Sequence, residues 1–544
     1  MEPLSWTGSL GSFLNPLLLV TSLLLALSAC GGIVKSLSPQ AALARTTGPG
    51  PDSGPSFGMS ATVAGGVVFG LLCWIVGAIA TPDMISGLGG AWVQAGAMFV
   101  LGAMLGLAAQ SLPQGLLQSL LRLSLLGVIV VIILYVALGI LTGPQASGIV
   151  GEISSRLSPV FLALIILYAV SLAFKRRLGL YGKLFDSPIG MIGFGLVMFW
   201  VFVGIFGAMD LIVTHDPLTQ VSGLKNKVPG TPLPNLEDGQ YPWYLLGGDN
   251  LARDVFSRVI KGAWVVVQIA PLATMFAFMV GITLGLPAGY FGGRLDTLLS
   301  FLANLILAFP VILLFYLLVT PEIVATGVPN YMAMVLFIFP ILFMAVLLNS
   351  RFYTQPRFRN PLLTAVLGVS IWLYLSLIST DGYLVQTKGH SIPGLPKALD
   401  LFDIPGGILV VFVSVVFVNS PTVFRIVRGL AMDIKTRDYV AAAQTRGEGT
   451  WYIMLWEILP NARGPLIVDF CLRIGYTTIL LGTLGFFGLG LPPESPDWGS
   501  TINEGRKLLS IYLHPALPPA LALLSLVLGL NLLADGLREE SLKD

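Results

Sequence analysis

The sequence predicts an all-α, polytopic integral membrane protein with about thirteen transmembrane helices. The first supporting observation is composition: the 544 residues are 55% hydrophobic and only 11% charged, with a mean hydropathy of +0.85. Water-soluble domains carry roughly 25% charged residues, so this chain has too few charges to cover a soluble surface. The net charge of +2 gives no reason to expect nucleic acid as a partner.

The second observation is that apolar stretches of about 20 residues, the length that crosses a bilayer, recur along the chain. Thirteen candidates are centred near residues 21, 71, 100, 131, 166, 200, 275, 309, 340, 370, 417, 477 and 524. The third observation is the charge between them. If the N-terminus lies outside, the inside segments hold 19 basic residues and the outside segments hold 10, whereas acidic residues number 11 inside and 16 outside. This asymmetry follows the positive-inside rule and places the C-terminus in the cytoplasm.

The candidate spans divide the chain into regions. Residues 1–180 hold five spans joined by short, weakly charged loops, which we interpret as an accessory membrane region. Residues 186–544 form the core, with a two-span insertion at about 321–405. Residues 27–31 read LSACG, similar to a lipoprotein cleavage box, but residues 1–16 contain no Lys or Arg, and a signal peptide begins with basic residues. We therefore interpret the first span as a true helix.

A polar, alanine-rich stretch interrupts the apolar spans at residues 438–461, which read DYVAAAQTRGEGTWYIMLWEILPN. Alanine favours helix, Gly447 interrupts the first helix, and Pro460 ends the second. The pattern predicts two short helices joined at a bend and projecting from the membrane. The alternative is an ordinary connecting loop. The stretch resembles the EAA loop of ABC-transporter permeases, which docks into a cleft on a cytoplasmic ATPase, and we call it the coupling segment.

A second polar motif precedes the seventh span, where residues 246–258 read LGGDNLARDVFSR. The Asp249 carboxylate is placed to cap a helix. Leu251, Val255 and Val259 recur at every fourth residue, which predicts an amphipathic helix over residues 249–261 lying in the outer interface. The other faces of that helix would carry Arg253, Asp254, Ser257, Arg258 and Lys261.

Three further stretches come later in the chain. Residues 288–296 read AGYFGGRLD, with glycines that allow a tight turn. Residues 485–499 contain GFFGLG, the pair Pro492 and Pro493, and DWG, and residues 531–538 read NLLADGLR. Together with the two motifs above, they resemble the C-type permease subunit of dipeptide, oligopeptide and nickel ABC importers. Gly248 stands where that subunit usually has threonine, and Ala252 where it has glycine. The resemblance covers about half the chain and leaves out residues 1–180 and 321–405.

The resemblance implies a type I importer permease in the bacterial cytoplasmic (inner) membrane, surrounded by lipid. It also implies a heterodimer with a B-type permease, two ATPase subunits and an extracytoplasmic substrate-binding protein. The cargo would be peptides or similar small solutes, with nickel or another solute left open. ATP and Mg would be bound by the partner ATPases, so this chain itself holds no cofactor. The residues that would contact the ATPase are Asp438, Ala441, Ala442, Ala443, Gly447, Glu457, Leu459 and Pro460.

Asp469 and Arg473 lie four residues apart inside the twelfth candidate span. Charges within a span usually face a bundle interior or water and often mark a pathway. An i,i+4 ion pair near the cytoplasmic end would be a purely structural alternative, and both interpretations remain open. Relatives of the subfamily commonly carry an acidic residue where this chain has Leu481.

The chain lacks the motifs of an enzyme. No G-x-x-x-x-G-K-[ST] sequence is present to bind nucleotide phosphates. His215, His390 and His514 fall in separate outside loops and are interpreted as solvated, and the three cysteines (Cys30, Cys73 and Cys471) as small core residues. We expect no catalytic or metal site. Two rival functions remain: a secondary transporter, for which Asp469 is the one convincing intramembrane acid, and a membrane scaffold or sensor formed by residues 1–180.

Overall fold

The computed structural model describes residues 2–25 (except 19, 22 and 23), 114–177, 179–236, 238–379, 406–489 and 495–541. The chain forms two compact units. Unit 1 contains residues 1–159, 214–256 and 508–514, and unit 2 contains residues 160–213, 257–507 and 515–544. Several predicted features lie outside the described residues: the spans near 71 and 100, residues 27–31 with Cys30, Cys73, His390 and the prolines at 492–493.

Unit 1 contains a helical stretch at residues 11–18, the helices α1 (Gln114–Leu141) and α2 (Pro144–Arg156), and two short antiparallel strands, β1 (Thr231–Pro232) and β2 (Trp243–Tyr244). Its apolar core joins the first helical stretch to α1 through Leu14, Leu18 and Val128. The extreme N-terminus contacts the loop that carries the strands, where the Leu4 amide donates a hydrogen bond to the Gly230 carbonyl at 2.9 Å.

Unit 2 consists of helices. Those before the insertion are α3 (Ser158–Ala173), α4 (Gly179–Lys183), α5 (Pro188–Ala208), α6 (Val255–Phe291), α7 (Gly293–Leu307) and α8 (Val311–Val319). The insertion contributes α9 (Pro321–Ala325), α10 (Val328–Leu336), α11 (Ile338–Arg351) and α12 (Pro356–Ser379). The remaining elements are α13 (Gly406–Ile434), α14 (Asp438–Thr445), α15 (Thr450–Tyr452), a π-helix (Ile453–Ile458), α16 (Leu459–Asn461), α17 (Arg463–Phe487), α18 (Trp498–Arg506) and α19 (Leu517–Ser541).

Glycines bring the first and last long helices of unit 2 into close contact. A Cβ atom added to Gly193 on α5 would lie 2.3 Å from the Leu533 amide nitrogen on α19, and one added to Gly190 would lie 3.3 Å from the Cα of Gly536. Small residues are the usual means by which membrane helices approach one another, since lipid offers no hydrophobic driving force between them. The glycine of the NLLADGLR motif therefore has a packing role.

Seven helices in the described part of the chain are long and apolar enough to cross a membrane, and two broken helix pairs raise the number to nine. One of these pairs, α7 and α8, bends by 81°. The bend is at Pro310, whose ring removes a backbone donor and ends helical hydrogen bonding. The all-α, multi-span fold is confirmed. The number thirteen remains a prediction, and α12, near the predicted span at 370, is not among the seven.

Candidate functional site

The coupling segment contains the predicted short helices. The first, α14, spans Asp438–Thr445, and Gly447 comes two residues later with φ +77°. This left-handed conformation suits glycine, and it lets the Glu448 amide donate to the Ala443 carbonyl at 3.3 Å, which closes the end of the helix. A continuous second helical stretch runs from α15 through the π-helix to α16. The predicted bend is therefore present at Gly447.

One face of the coupling segment is buried within unit 2. Val440, Ala443, Met454 and Ile458 are each 0% exposed and join a cluster that includes Val423 and other apolar residues of α6, α13 and α17. This packing holds the coupling segment against the spanning helices. Ala443 is therefore a core residue, and the sequence expectation that it contacts an ATPase is not supported by its position.

The opposite face of the coupling segment is open. It carries the predicted contact residues Asp438, Ala441, Ala442, Gly447 and Pro460, all exposed, with Leu459 partly buried beside them. Glu457, also partly buried, accepts a hydrogen bond from Arg446 Nη2 at 3.0 Å, which joins the two helical stretches across the bend. Ala441, Ala442 and Gly447 have small side chains or none, so another protein can approach the backbone closely at these positions.

The AGYFGGRLD turn lies beside the coupling segment. Gly292 and Gly293 have φ values of +67° and +62°, which explains the glycine pair predicted to reverse the chain between α6 and α7. Gln444 on α14 donates to the Tyr290 hydroxyl at 3.2 Å, and Lys435 Nζ donates to the Gly289 carbonyl at 2.8 Å. Two motifs about 150 residues apart in sequence therefore form one end of unit 2.

The π-helix of the coupling segment contacts the insertion. The Trp456 indole N–H donates to Ser350 Oγ at 3.0 Å, and the Arg351 guanidinium lies 4.6 Å from the centre of the Trp456 ring. Sequence reasoning missed this contact. No local signal pairs these positions, which are 106 residues apart.

In unit 1, the predicted interfacial helix over residues 249–261 is wrong in its first half. Asp249 to Asp254 form a compact turn closed by a bridge between Gly248 and Asp254, with Ala252 at φ +63°, and the helix begins at Val255. The Asp249 carboxylate does accept backbone N–H bonds, but from Leu251 and Arg253 within the turn, at 2.8 and 2.9 Å. Local side-chain hydrogen bonds of this kind compete with helix formation.

The charged side chains of this turn are buried. Arg253 Nη2 lies 2.7 Å from Asp249 Oδ2, with side-chain exposures of 5% and 2%. Asp254 is completely buried and accepts a hydrogen bond from the Thr214 hydroxyl at 2.8 Å. These residues therefore hold the turn together.

The histidines of unit 1 are packed, which corrects the expectation that they are solvated. His215 is 10% exposed and lies 3.4 Å from Asp254 Oδ2 through Nδ1, while its Nε2 lies 2.8 Å from the Tyr241 carbonyl. His514 Nε2 lies 3.1 Å from the Gly248 carbonyl, and burial lowers the pKa of His514 below its ordinary value. In the described ranges, no group of three His, Cys, Asp or Glu residues could hold a metal ion.

In unit 2, the end of the LGGDNLARDVFSR motif meets the DWG motif. Arg258 is completely buried, with Nε 3.3 Å from Thr501 Oγ1 and Nη2 3.7 Å from Glu504 Oε2. The Trp498 indole donates to the Val259 carbonyl at 2.9 Å. Arg258 therefore connects the first turns of α6 to α18.

The GFFGLG and DWG motifs also touch each other. Asp497 caps α18 by accepting a hydrogen bond from the Ser500 amide at 2.9 Å. A Cβ atom added to Gly485 would lie 2.1 Å from Asp497 Oδ1, so only glycine leaves room there. Burial raises the pKa of Asp497 above its ordinary value.

Asp469 and Arg473 are paired on α17, with Arg473 Nε 2.8 Å from Asp469 Oδ2 and side-chain exposures of 18% for Asp469 and 10% for Arg473. The pairing fits the structural interpretation, and a pathway role for either residue remains a prediction. Leu481, the departure from the subfamily pattern, is buried.

Comparison with known proteins agrees with these motifs. Residues 281–539 match the family described as binding-protein-dependent transport system inner membrane component. The chain is 27% identical over 304 residues to the glutathione transport system permease protein GsiD of Pectobacterium atrosepticum, an alignment that covers 56% of this chain and 74% of the relative.

Two dipeptide transport system permease proteins, both named DppC, are also similar. The protein from Haemophilus influenzae is 28% identical over 302 residues, covering 56% of this chain and 75% of the relative. The protein from Alkalihalophilus pseudofirmus is 25% identical over 359 residues, covering 66% and 87%.

Proposed function

We propose that this chain is the C-type permease subunit of an ABC importer for peptides or similar small solutes, because residues 281–539 match the family of binding-protein-dependent transport system inner membrane components. The observation that carries the proposal is the geometry of the coupling segment. Its apolar face is buried against the spanning helices, while Ala441, Ala442 and Gly447 are exposed at its tip. Such a segment transmits a push from a docked protein, because its buried side cannot yield independently of the spans.

In the proposed mechanism, a movement of the partner subunits is passed through packed helices of this chain. ATP and Mg bind to two partner ATPases, and closure of those ATPases moves the coupling segment. The cluster containing Val440 and Ile458 passes this movement to α6, α13 and α17, which then change between outward-open and inward-open arrangements. This chain performs no covalent chemistry and is not an enzyme.

The partners are a B-type permease, the two ATPases and an extracytoplasmic substrate-binding protein. The location is the bacterial cytoplasmic membrane, with the N-terminus outside and the C-terminus in the cytoplasm. One set of contacts supports this orientation. Unit 1 joins the N-terminus, residues 142–156, residues 214–256 and residues 508–514, and the charge distribution assigns all four to the outside.

The substrate class is taken from the relatives, which transport dipeptides and glutathione by name. A nickel chelate or another small solute is the alternative. Uptake of radiolabelled dipeptide and glutathione by cells that express the complete transporter distinguishes these cargoes, with a strain lacking this chain as the control.

Cysteine cross-linking tests the coupling role. Single cysteines at Ala441, Ala442 and Gly447, in a background without the three native cysteines, should cross-link to co-expressed ATPases in membranes. Buried Ala443 is the matched control and should not react. Labelling of the exposed positions by an impermeant reagent from outside intact cells would overturn both the orientation and the proposed function.

A further inference from the structure

Helix α11 of the insertion packs directly on the coupling segment. Phe343, Val346 and Leu347 of α11 lie against the apolar cluster that contains Met454 and Ile458. Their spacing of three and four residues places them on one face of the helix. The last turn of α11 then supplies the two polar contacts to Trp456.

These polar contacts act on the π-helical part of the coupling segment. Trp456 lies in the π-helix, Ile453–Ile458, and π-helical turns are uncommon and concentrate at functional sites. A partly buried indole needs an acceptor for its N–H group, and Ser350, itself 8% exposed, provides one. Arg351 covers the ring with a cation–π contact.

We propose that α11 is a brace for the coupling segment, in which Ser350 and Arg351 are positioning residues that act through Trp456. The proposal rests on the proposed function, because it gives the insertion a part in the coupling of ATP hydrolysis to movement of the spans. The brace holds the π-helix in register with the bundle, so a push on α14 moves the spans instead of deforming the segment.

Arg351 is an exposed side chain, yet its guanidinium lies over the ring of Trp456. Another arginine nearby in the chain, Arg359, stacks on Tyr353 at 5.9 Å and bonds to its neighbour Asn360. Arg359 has the same charge as Arg351 and also stacks on an aromatic ring. Its contacts with Tyr353 and Asn360 both lie within the insertion. It is therefore the matched control.

The test uses the complete complex, with this chain and its partners co-expressed and reconstituted in nanodiscs. Ser350→Ala, Arg351→Ala, Trp456→Phe and Arg359→Ala are compared for the amount of ATPase retained, the KM for ATP and the kcat of ATP hydrolysis. We expect Ser350→Ala and Arg351→Ala to retain the ATPases with an unchanged KM, because the nucleotide binds elsewhere. The kcat of each should fall by roughly two- to tenfold, the size of the single contact removed, which is a hydrogen bond in Ser350→Ala and a cation–π contact in Arg351→Ala.

A double variant tests whether the contact is direct. Trp456→Phe removes the indole N–H and keeps the packing, so adding Ser350→Ala to it should have no further effect on kcat. Non-additivity of this kind identifies residues that act through one interaction. Additive losses, or Ser350→Ala and Arg351→Ala variants that behave like Arg359→Ala, would overturn the proposal.

A second measurement needs neither ATPase nor substrate. Amide hydrogen exchange in residues 450–461 of the permease should be faster in the double variant Ser350→Ala, Arg351→Ala than in the wild type, with exchange in α6 unchanged. Arg359→Ala should match the wild type. If the wild-type chain retains no ATPase, the proposed function fails, whereas equal exchange in all variants shows that the brace is wrong.

Discussion

Ala442 and Ala443 are neighbouring alanines with opposite surroundings, since Ala442 is exposed and Ala443 is completely buried. We predict that Ala442→Trp leaves membrane insertion unchanged and uncouples ATP hydrolysis from transport, because it adds bulk only to the docking face. Ala443→Leu should instead cost about 1–3 kcal/mol through overpacking. Expression level, thermal stability in detergent and uptake per ATP hydrolysed separate the two effects. Normal uptake by Ala442→Trp would show that the open face is not a docking surface.

Asp469 and Arg473 give a second contrast at the scale of the residue. If the pair is structural, removing one partner leaves a buried charge at a cost on the order of 3–5 kcal/mol, while replacing both with leucine is nearly neutral. Both single variants should then express poorly and the double variant should recover. A pathway role predicts a double variant that assembles and transports poorly. Wild-type behaviour of all three would contradict both interpretations.

At the scale of the element, the turn from Asp249 to Asp254 contains the buried ionic pair of Asp249 and Arg253. Arg253→Ala leaves the Asp249 carboxylate buried with its backbone donors but without the guanidinium, so we expect unit 1 to lose about 3 kcal/mol of stability. Exposed Arg506, which bonds to Asn503 three residues away, offers a matched control as Arg506→Ala. Protease cleavage within residues 214–256 should accelerate only in Arg253→Ala.

The same loop should be sensitive to acid through His514. Because burial lowers the pKa of His514, the unfolded chain binds a proton that the folded chain excludes. The stability from neutral His514 is therefore fully present above the ordinary pKa of about 6.5 and falls as the pH drops below it. We expect cleavage within residues 214–256 to rise between pH 7.5 and 5.0 in the wild type, and to rise less in His514→Gln. An identical pH response in the variant would exclude this residue as the cause.

At the scale of the whole molecule, the orientation of the chain is the main prediction. In a background without native cysteines, Ser222→Cys should react with an impermeant maleimide on intact cells, because it is exposed in a loop assigned to the outside. Thr436→Cys, exposed beside the coupling segment, should react only after permeabilisation. The reverse pattern would invert the topology and remove the coupling segment from the cytoplasm.

The sequence alone determined the membrane class, the bend at Gly447 and the glycine turn at residues 292–293. Each depends on a local property: hydropathy over one span, or a backbone conformation that glycine adopts most readily. The same local reasoning failed for residues 249–254, where an amphipathic period predicted a helix. Side-chain hydrogen bonds from Asp249 formed a turn instead.

Only the tertiary structure decided which alanine of the coupling segment is exposed, how Arg258 is buried against Thr501, and that Trp456 contacts Ser350. The last two contacts join residues 243 and 106 positions apart. Hydrophobic periodicity reports which side of a helix is apolar and carries no information about which distant helix covers it. Which helix covers a given apolar face is decided by tertiary packing. The contact between the insertion and the coupling segment therefore became visible only in three dimensions.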